Sequence, residues 1–445
     1  MSEARNTSGD AIGPHTAARS LRLADIHQPG PTDEAIIMSQ ERFTFGFWHS
    51  LDISECDEKT VDDWHEAGIT VPQSPRYQDT PHDKGKLRWM LDACAERGMQ
   101  AILLDPRTRV PGGSWEGRTP LPLDYREGCK SAVWDFGKHP GVKGFFLRDE
   151  PPKSVLKTVC DAHRIMLDLA PDKLPYINQY PYHADIAQRY GFISWPEYLD
   201  RFVETANATQ LSYDCYCQMM EGPSENPLYF QNLEFMRDAA LRHRIPFWNI
   251  ILATPHFRYR APSKDDMRWQ LYTSLAYGCG GILYFTWYTP LLSNYRDGPI
   301  DAHGERSERW YMIRDLHRDF RARFQQVYLR LRSQQVYHWP DAPEGSRVLD
   351  GTGLVAEIKG DGDDGEFVVG EFLDERNRPW VMVVNRSPRH STQAHLTFRT
   401  PPKAWYMLDY QGKEVIASGD ARPPGATHAA VWLAPGWAEL IRVEF

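Results

Sequence analysis

Between residues 43 and 288, short apolar runs rich in aromatic and β-branched residues recur, most of them separated by a stretch with helical spacing. The runs are 43–49 (FTFGFWH), 68–72 (GITVP), 99–105 (MQAILLD), 142–148 (VKGFFLR), 175–181 (PYINQYP), 209–216 (TQLSYDCY), 245–252 (IPFWNIIL) and 280–288 (GGILYFTWY). Segments such as 84–97, 154–169, 227–243 and 264–276 repeat apolar residues at i, i+3, i+4 and i+7, one buried helix face each. Strand then helix, eight times over, predicts an α/β protein built as a (β/α)8 TIM barrel. The runs are continuous rather than alternating, as strands enclosed by a ring of helices require. A doubly wound open sheet would carry a Gly-rich phosphate turn after its first strand, and GFWHSLD is not one.

A charged segment, 305–332, follows, predicted as a helix with its Arg-rich stretch 314–332 on a solvated face. The period then falls to two, in LVAEIKG, GEFVVGEFLD, WVMVVNRS, AHLTFRT, AWYMLDY, AVWLAPG and AELIRVEF. Short strands at close spacing without helices predict a C-terminal antiparallel β-sandwich. The expected domains are an N-terminal arm at 1–40, a catalytic barrel at 41–335 and the sandwich at 345–445. The run DGDDG at 361–365 reads as a hairpin turn, since it lacks the residue order of a calcium loop.

The formal charge of −9 repels phosphate backbones, so no nucleic-acid partner is expected. No run of about 18 apolar residues occurs, and the N-terminus has no apolar stretch behind a basic start, so no membrane association is expected and the cytoplasm is the default location. Seven cysteines without Cys-x-x-Cys spacing argue against disulfides and zinc; Cys215 and Cys217 read as buried structural thiols. Neither His-x-x-x-His nor Glu-x-x-His falls on a predicted helix, so no metal is expected, and no organic cofactor. Aromatic residues at 12% point weakly to sugar binding. The sequence assigns no oligomeric state.

In such a barrel the chemistry lies just past the apolar runs. Those positions hold Trp48 and His49, Asp105 and Arg107, Arg148, Asp149 and Glu150, Asn178, Gln179 and Tyr180, Tyr213, Asp214 and Tyr216, Thr254, His256 and Arg258, then Trp287 and Tyr288. In GFFLRDEPP two consecutive carboxylates end a strand before two prolines, and one of them must point into the barrel mouth. Partial desolvation there would raise its pKa, as a general acid requires. The alternative is a salt bridge from Asp149 to Arg148 or Arg107 with Glu150 in solvent. Asp214 is placed to face Glu150, the carboxylate pair that glycosidic cleavage needs, or else to cap the next helix. His49, Asn178, Gln179 and His256 can bond sugar hydroxyls, while Trp48, Tyr216, Trp287 and Tyr288 offer stacking faces.

The segments HPGVKGFFLRDEPP, LPYINQYP, LSYDCY, RWQLYTSLAYGCGGILYFTWYTP and GPIDAHGERSERWYMIRDLHRDF resemble the barrel of clan A and β-galactosidase-like glycoside hydrolases. GEFLDERNRPWVMVVNRS and VWLAPGWAELIRVEF are similar to the sandwich that follows such barrels. The resemblance implies an oligosaccharide or glycoside substrate. With Asp149-Glu150-Pro151 in place of the family's Asn-Glu-Pro, it implies that Glu150 is the acid/base. The family's nucleophilic Glu at the end of strand seven has no counterpart in IPFWNIILATPHFRYR, which leaves Asp214 as nucleophile or base. Asp149-Glu150 with Tyr213-Asp214 also resembles hexosaminidases and chitinase-like enzymes. There Asp149 would orient the substrate's acetamide, Glu150 would be the acid, and Tyr213 with Asp214 would hold the acetamide. A carbohydrate-binding barrel without catalysis is the third reading.

Overall fold

The computed structural model describes residues 42–48, 51–111, 120–183, 194–220, 226–361, 365–416 and 428–445, all within one unit, Ile36–Phe445. The expected arm at 1–40 lies outside them, as does His49. The apolar runs form parallel strands β1 (Thr44–Phe47), β2 (Val71–Pro72), β3 (Ala101–Leu103), β4 (Val142–Asp149), β5 (Leu174–Asn178), β6 (Leu211–Asp214), β7 (Phe247–Leu252) and β8 (Gly281–Phe285). Each falls inside its expected run or overruns it by one residue. They make two parallel arcs, β3-β4-β5 and β2-β1-β8-β7-β6. Single parallel bridges, Gln73 with Ile102 and Gln179 with Tyr213, link the arcs at both seams.

The expected helices appear as Pro81–Glu96, Leu156–Leu169, Asn226–His243 and Lys264–Ala276. The first begins three residues early because Thr80 accepts a bond from the Asp83 backbone N–H and Pro81 sits in the first turn, where its missing N–H costs nothing.

Alternation along the strands divides the core into two layers. Ile102, Phe146, Tyr176, Trp248, Ile250, Leu252 and Leu283 pack together inside the arcs. Their neighbours Phe45, Phe47, Phe145, Leu147, Tyr213, Ile251, Ile282 and Tyr284 pack outward under the helices.

The charged segment is shorter and less solvated than expected. It forms helices Glu308–Arg323 and Gln325–Tyr328 before a strand begins at Arg332. Arg323 is buried rather than solvated, with its guanidinium donating to Glu439 Oε2 at 2.8 Å and to the Leu408 carbonyl at 2.9 Å. Arg321 donates to the Gly68 carbonyl.

The C-terminal region is antiparallel. Its strands are β9 (Arg332–Trp339), β10 (Val355–Lys359), β11 (Phe367–Leu373), β12 (Pro379–Asn385), β13 (Thr392–Phe398), β14 (Ala404–Leu408), β15 (Glu414–Ile416), β16 (His428–Leu433) and β17 (Ala438–Glu444). One sheet runs β15-β14-β17-β12-β11-β9 and the other β10-β13-β16. β9 therefore joins this region ahead of the expected start at 345. The strands on either side of DGDDG, β10 and β11, belong to different sheets, and 362–364 of that run lie outside the described residues.

The period of two holds for β13, where buried and half-buried positions alternate, but β11 and β12 are buried almost throughout. The reason is a second contact. Val369, Val381 and Val383 face the sandwich core, while Val368, Phe372, Met382 and Val384 face the outer layer of the parallel arcs. Trp269 Nε1 donates to the Arg386 carbonyl at 2.7 Å across this junction.

Arg323 and Glu439 form the junction's buried ion pair. Arg323→Met removes one partner and leaves a carboxylate enclosed, which should cost about 3–5 kcal/mol. Chemical denaturation of the variant measures this, and a loss below 1 kcal/mol would show the pair to be solvated.

Candidate active site

β4 carries an irregularity that decides which of its residues reach the strand ends. Its pairing with β5 shifts between Phe146 and Arg148, so Phe146 sits opposite Tyr176 and Asp149 opposite Asn178. Without that extra residue, Asp149 would share the outward face of Phe145 and Leu147; the bulge turns it inward. Glu150 follows with φ 41°, a left-handed conformation uncommon outside glycine, and its N–H donates to the Asn178 carbonyl at 2.9 Å. Consecutive side chains, which a regular strand sends to opposite faces, thus enter the same cavity. Pro151 and Pro152 then end the strand.

The cavity has a volume of about 580 Å³, within the range of small-molecule sites. Asp149, Glu150, Asn178 and Asp214 line it, with walls from Trp48, Tyr216, Tyr259, Phe285 and Tyr295. His256, stacked on Tyr295 at 4.8 Å between ring centroids, and the rim residues Phe257 and Arg258 complete one side.

One amide nitrogen ties the acids together. Asn178 Nδ2 donates to Asp149 Oδ1 at 3.1 Å and to Asp214 Oδ1 at 2.7 Å. The two N–H bonds of an amide diverge, which sets those oxygens about 5 Å apart. Burial is the main reason all three carboxyls titrate high. Asp149 is pushed up to about 6, with the Asn178 bond opposing the shift. Burial, then the Asp214 charge and the Asp149 charge, raise Glu150 far above the carboxylate range. Burial and then the Asp149 charge raise Asp214, while Asn178 and Tyr216 restrain it. Carboxylates that share one cavity disfavour one another's ionisation.

Of the residues expected here, Trp48, Asp149, Glu150, Asn178, Tyr180, Asp214, Tyr216, His256 and Arg258 line the cavity. No ion pair joins Asp149 to Arg148 or Arg107 among the described residues, and no helix is capped by Asp214. Six others lie elsewhere. Asp105 and Arg107 pair with each other at 2.8 Å, and Arg107 also meets Asp135 at 2.7 Å. Gln179 is fully buried and accepts from the Tyr198 hydroxyl. Tyr213 lies in the outer layer, one residue out of phase with Asp214. Trp287 stacks on Phe47 at 5.0 Å, and the Tyr288 hydroxyl accepts from Trp64 Nε1 at 2.9 Å.

Tyr259, Phe285 and Tyr295 were not singled out as site residues. The dense aromatic and basic run FRYR after β7 was the available signal for Tyr259. Among the described residues no cluster of His, Cys, Asp and Glu could hold a metal ion, and no helix is long and apolar enough to cross a membrane.

The fold is similar to that of solved glycoside hydrolases. A family 39 glycoside hydrolase from the gut symbiont Bacteroides cellulosilyticus WH2 superposes with a TM-score of 0.53 at 12% identity, over 91% of this chain and 81% of that one. A family 5 glycoside hydrolase from Bacteroides vulgatus ATCC 8482 has a TM-score of 0.49 at 13% identity, over 90% and 89%. A β-galactosidase from the psychrophilic Marinomonas ef1 has a TM-score of 0.47 at 11% identity, over 63% of this chain, which spans 60% of that enzyme's length. At these identities the likeness is one of fold. No family model matches the sequence, and no curated protein matches it.

The raised Asp149 carboxyl makes the site a stability liability. A folded pKa of about 6 against an ordinary 3.8 means that stability falls as pH rises between those values. Asp149→Asn should therefore be more stable than the parent at pH 7.5 and lose that advantage at pH 4. Urea denaturation at the two pH values checks this; an equal difference at both would refute it.

Proposed function

We propose that this protein is a glycoside hydrolase in which Glu150 is the general acid and Asp214 the nucleophile or base. The two arcs and their bridged seams are read as one (β/α)8 barrel, with the reaction at its C-terminal mouth. The observation that carries the proposal is the convergence of Glu150 and Asp214, both raised by burial, on one cavity walled by aromatic rings. Those rings suit the C–H faces of a sugar.

Glu150 gives its proton to the glycosidic oxygen as the bond to the anomeric carbon breaks, and an ionised Asp214 stabilises the positive charge that develops there. In a double displacement Asp214 bonds that carbon, and Glu150 then takes a proton from the incoming water. In a single displacement Asp214 activates the water directly. Asn178, with both N–H bonds committed to carboxylates, acts as a positioning residue rather than a sugar ligand. The acetamide-assisted reading loses support because Tyr213, one of its holding groups, packs in the outer layer.

Glu150→Gln keeps the shape and loses the proton, so turnover should fall by about 10²–10⁴-fold with the fold intact. The assay is a panel of aryl α- and β-glycosides and defined oligosaccharides, with product anomers followed by NMR. Unchanged turnover in Glu150→Gln would overturn the assignment, and sugar binding without turnover in the parent would favour a binding protein.

The pH dependence should be bell-shaped. Activity is lost on the acid side as Asp214 takes up a proton, above the ordinary carboxylate range, and on the alkaline side as Glu150 loses its own. An acid limb near the ordinary Asp value would exclude Asp214 as the base.

A further inference from the structure

We propose that Cys215 and Cys217 are a dithiol modification site in the wall of this cavity, which a peroxide closes to a disulfide. The pair follows β6 directly. Regular strand alternation would leave two residues of like parity side by side but well apart; here the chain turns at Tyr216 (φ −117°, ψ 9°) into the 3-10 turn Cys217–Met219. That turn brings the sulfurs to 3.3 Å. A disulfide requires about 2.05 Å, so closure asks for a shift of roughly 1.3 Å at the sulfur atoms.

Access separates this pair from the remaining thiols. All seven cysteines are buried and outside any disulfide, but only Cys215 and Cys217 line the cavity. Asn232 holds the arrangement: its Nδ2 reaches Cys215 Sγ at 3.8 Å, and its Oδ1 accepts from the Tyr182 N–H at 2.6 Å. The Cys217 contact and burial keep the Cys215 thiol protonated, so the reaction accelerates with pH.

The step balances. One thiol loses its proton and attacks a peroxide oxygen, breaking the O–O bond to give a sulfenic acid and water. The second sulfur attacks the first, the S–O bond breaks, and a second water leaves. Two electrons pass from the sulfurs to the peroxide. The ring so formed contains Tyr216, whose side chain stacks on Phe285 at 5.6 Å, and lies next to Asp214, so closure reshapes the site.

The test is hydrogen peroxide treatment of the folded full-length chain, followed by alkylation under denaturing conditions and peptide mass mapping. The thiol count should fall from seven to five, with the Cys215–Cys217 peptide lighter by two hydrogens and dithiothreitol restoring both thiols. Cys217→Ser, and independently Cys215→Ala should the first variant not fold, should abolish the bridge. A thiol count that stays at seven, a bridge between other cysteines, or a pair carrying only sulfinic or sulfonic acids would overturn the proposal. The readout is a mass, so failure of the glycosidase reading would leave it standing.

Discussion

A single side-chain amide holds the site together. Asn178 has two N–H bonds, and both are spent on aspartates from neighbouring strands. Its carbonyl oxygen accepts from the Ser212 hydroxyl at 3.3 Å, and Ser212 in turn meets the Tyr176 hydroxyl at 2.9 Å. Its backbone carbonyl receives the Glu150 N–H. This chain of bonds runs across β4, β5 and β6, so the placement of all three acids rests on the register of those strands. A slip of one residue would send every one of these side chains to the opposite face.

Such an arrangement is held against local cost. Burial opposes the ionised form of each acid, and Glu150 sits in a backbone region that costs of order 1–3 kcal/mol for a residue with a side chain. The surrounding packing supplies the compensation. β4 lies between apolar layers on both faces, and at Gly144 an added methyl would come within 2.0 Å of the Leu174 carbonyl oxygen, so β4 and β5 are in close contact just below the site. Farther out, the six-stranded sheet is buried on both faces because it braces the helices around the parallel arcs as well as closing its own core.

Much of this was legible in the sequence. Short continuous apolar runs locate the eight strands to within a few residues, and the doublet before Pro151 marks the acids. Reading every polar residue past a run as a candidate is too generous, because alternation within the strands selects among them: Asn178 and Asp214 face inward while Gln179 and Tyr213, each one residue away, do not. The exception is equally instructive. Asp149 and Glu150 do share a face, through a bulge and a left-handed residue that no hydrophobic pattern announces. Tyr259 and Tyr295 come from loops, whose course depends on tertiary contacts. The two-sided burial of β11 and β12 likewise reflects a partner layer that is distant in sequence.

The proposed division of roles among the acids rests on what each is given. Asp149 and Asp214 both receive the Asn178 amide, and Asp214 also gains from Tyr216, so each has a donor that favours its charge. Glu150 has only influences that disfavour ionisation: burial and two neighbouring negative charges. Environments that drive titrations apart in this way are the physical basis for assigning acid and base. When Asp214 ionises, it strengthens the hold of Glu150 on its proton, and protonated Glu150 in turn spares Asp214 a like charge nearby. The coupling between these two therefore favours a loaded donor beside a charged partner, and it works against the Asp149 charge, which opposes ionisation of Asp214.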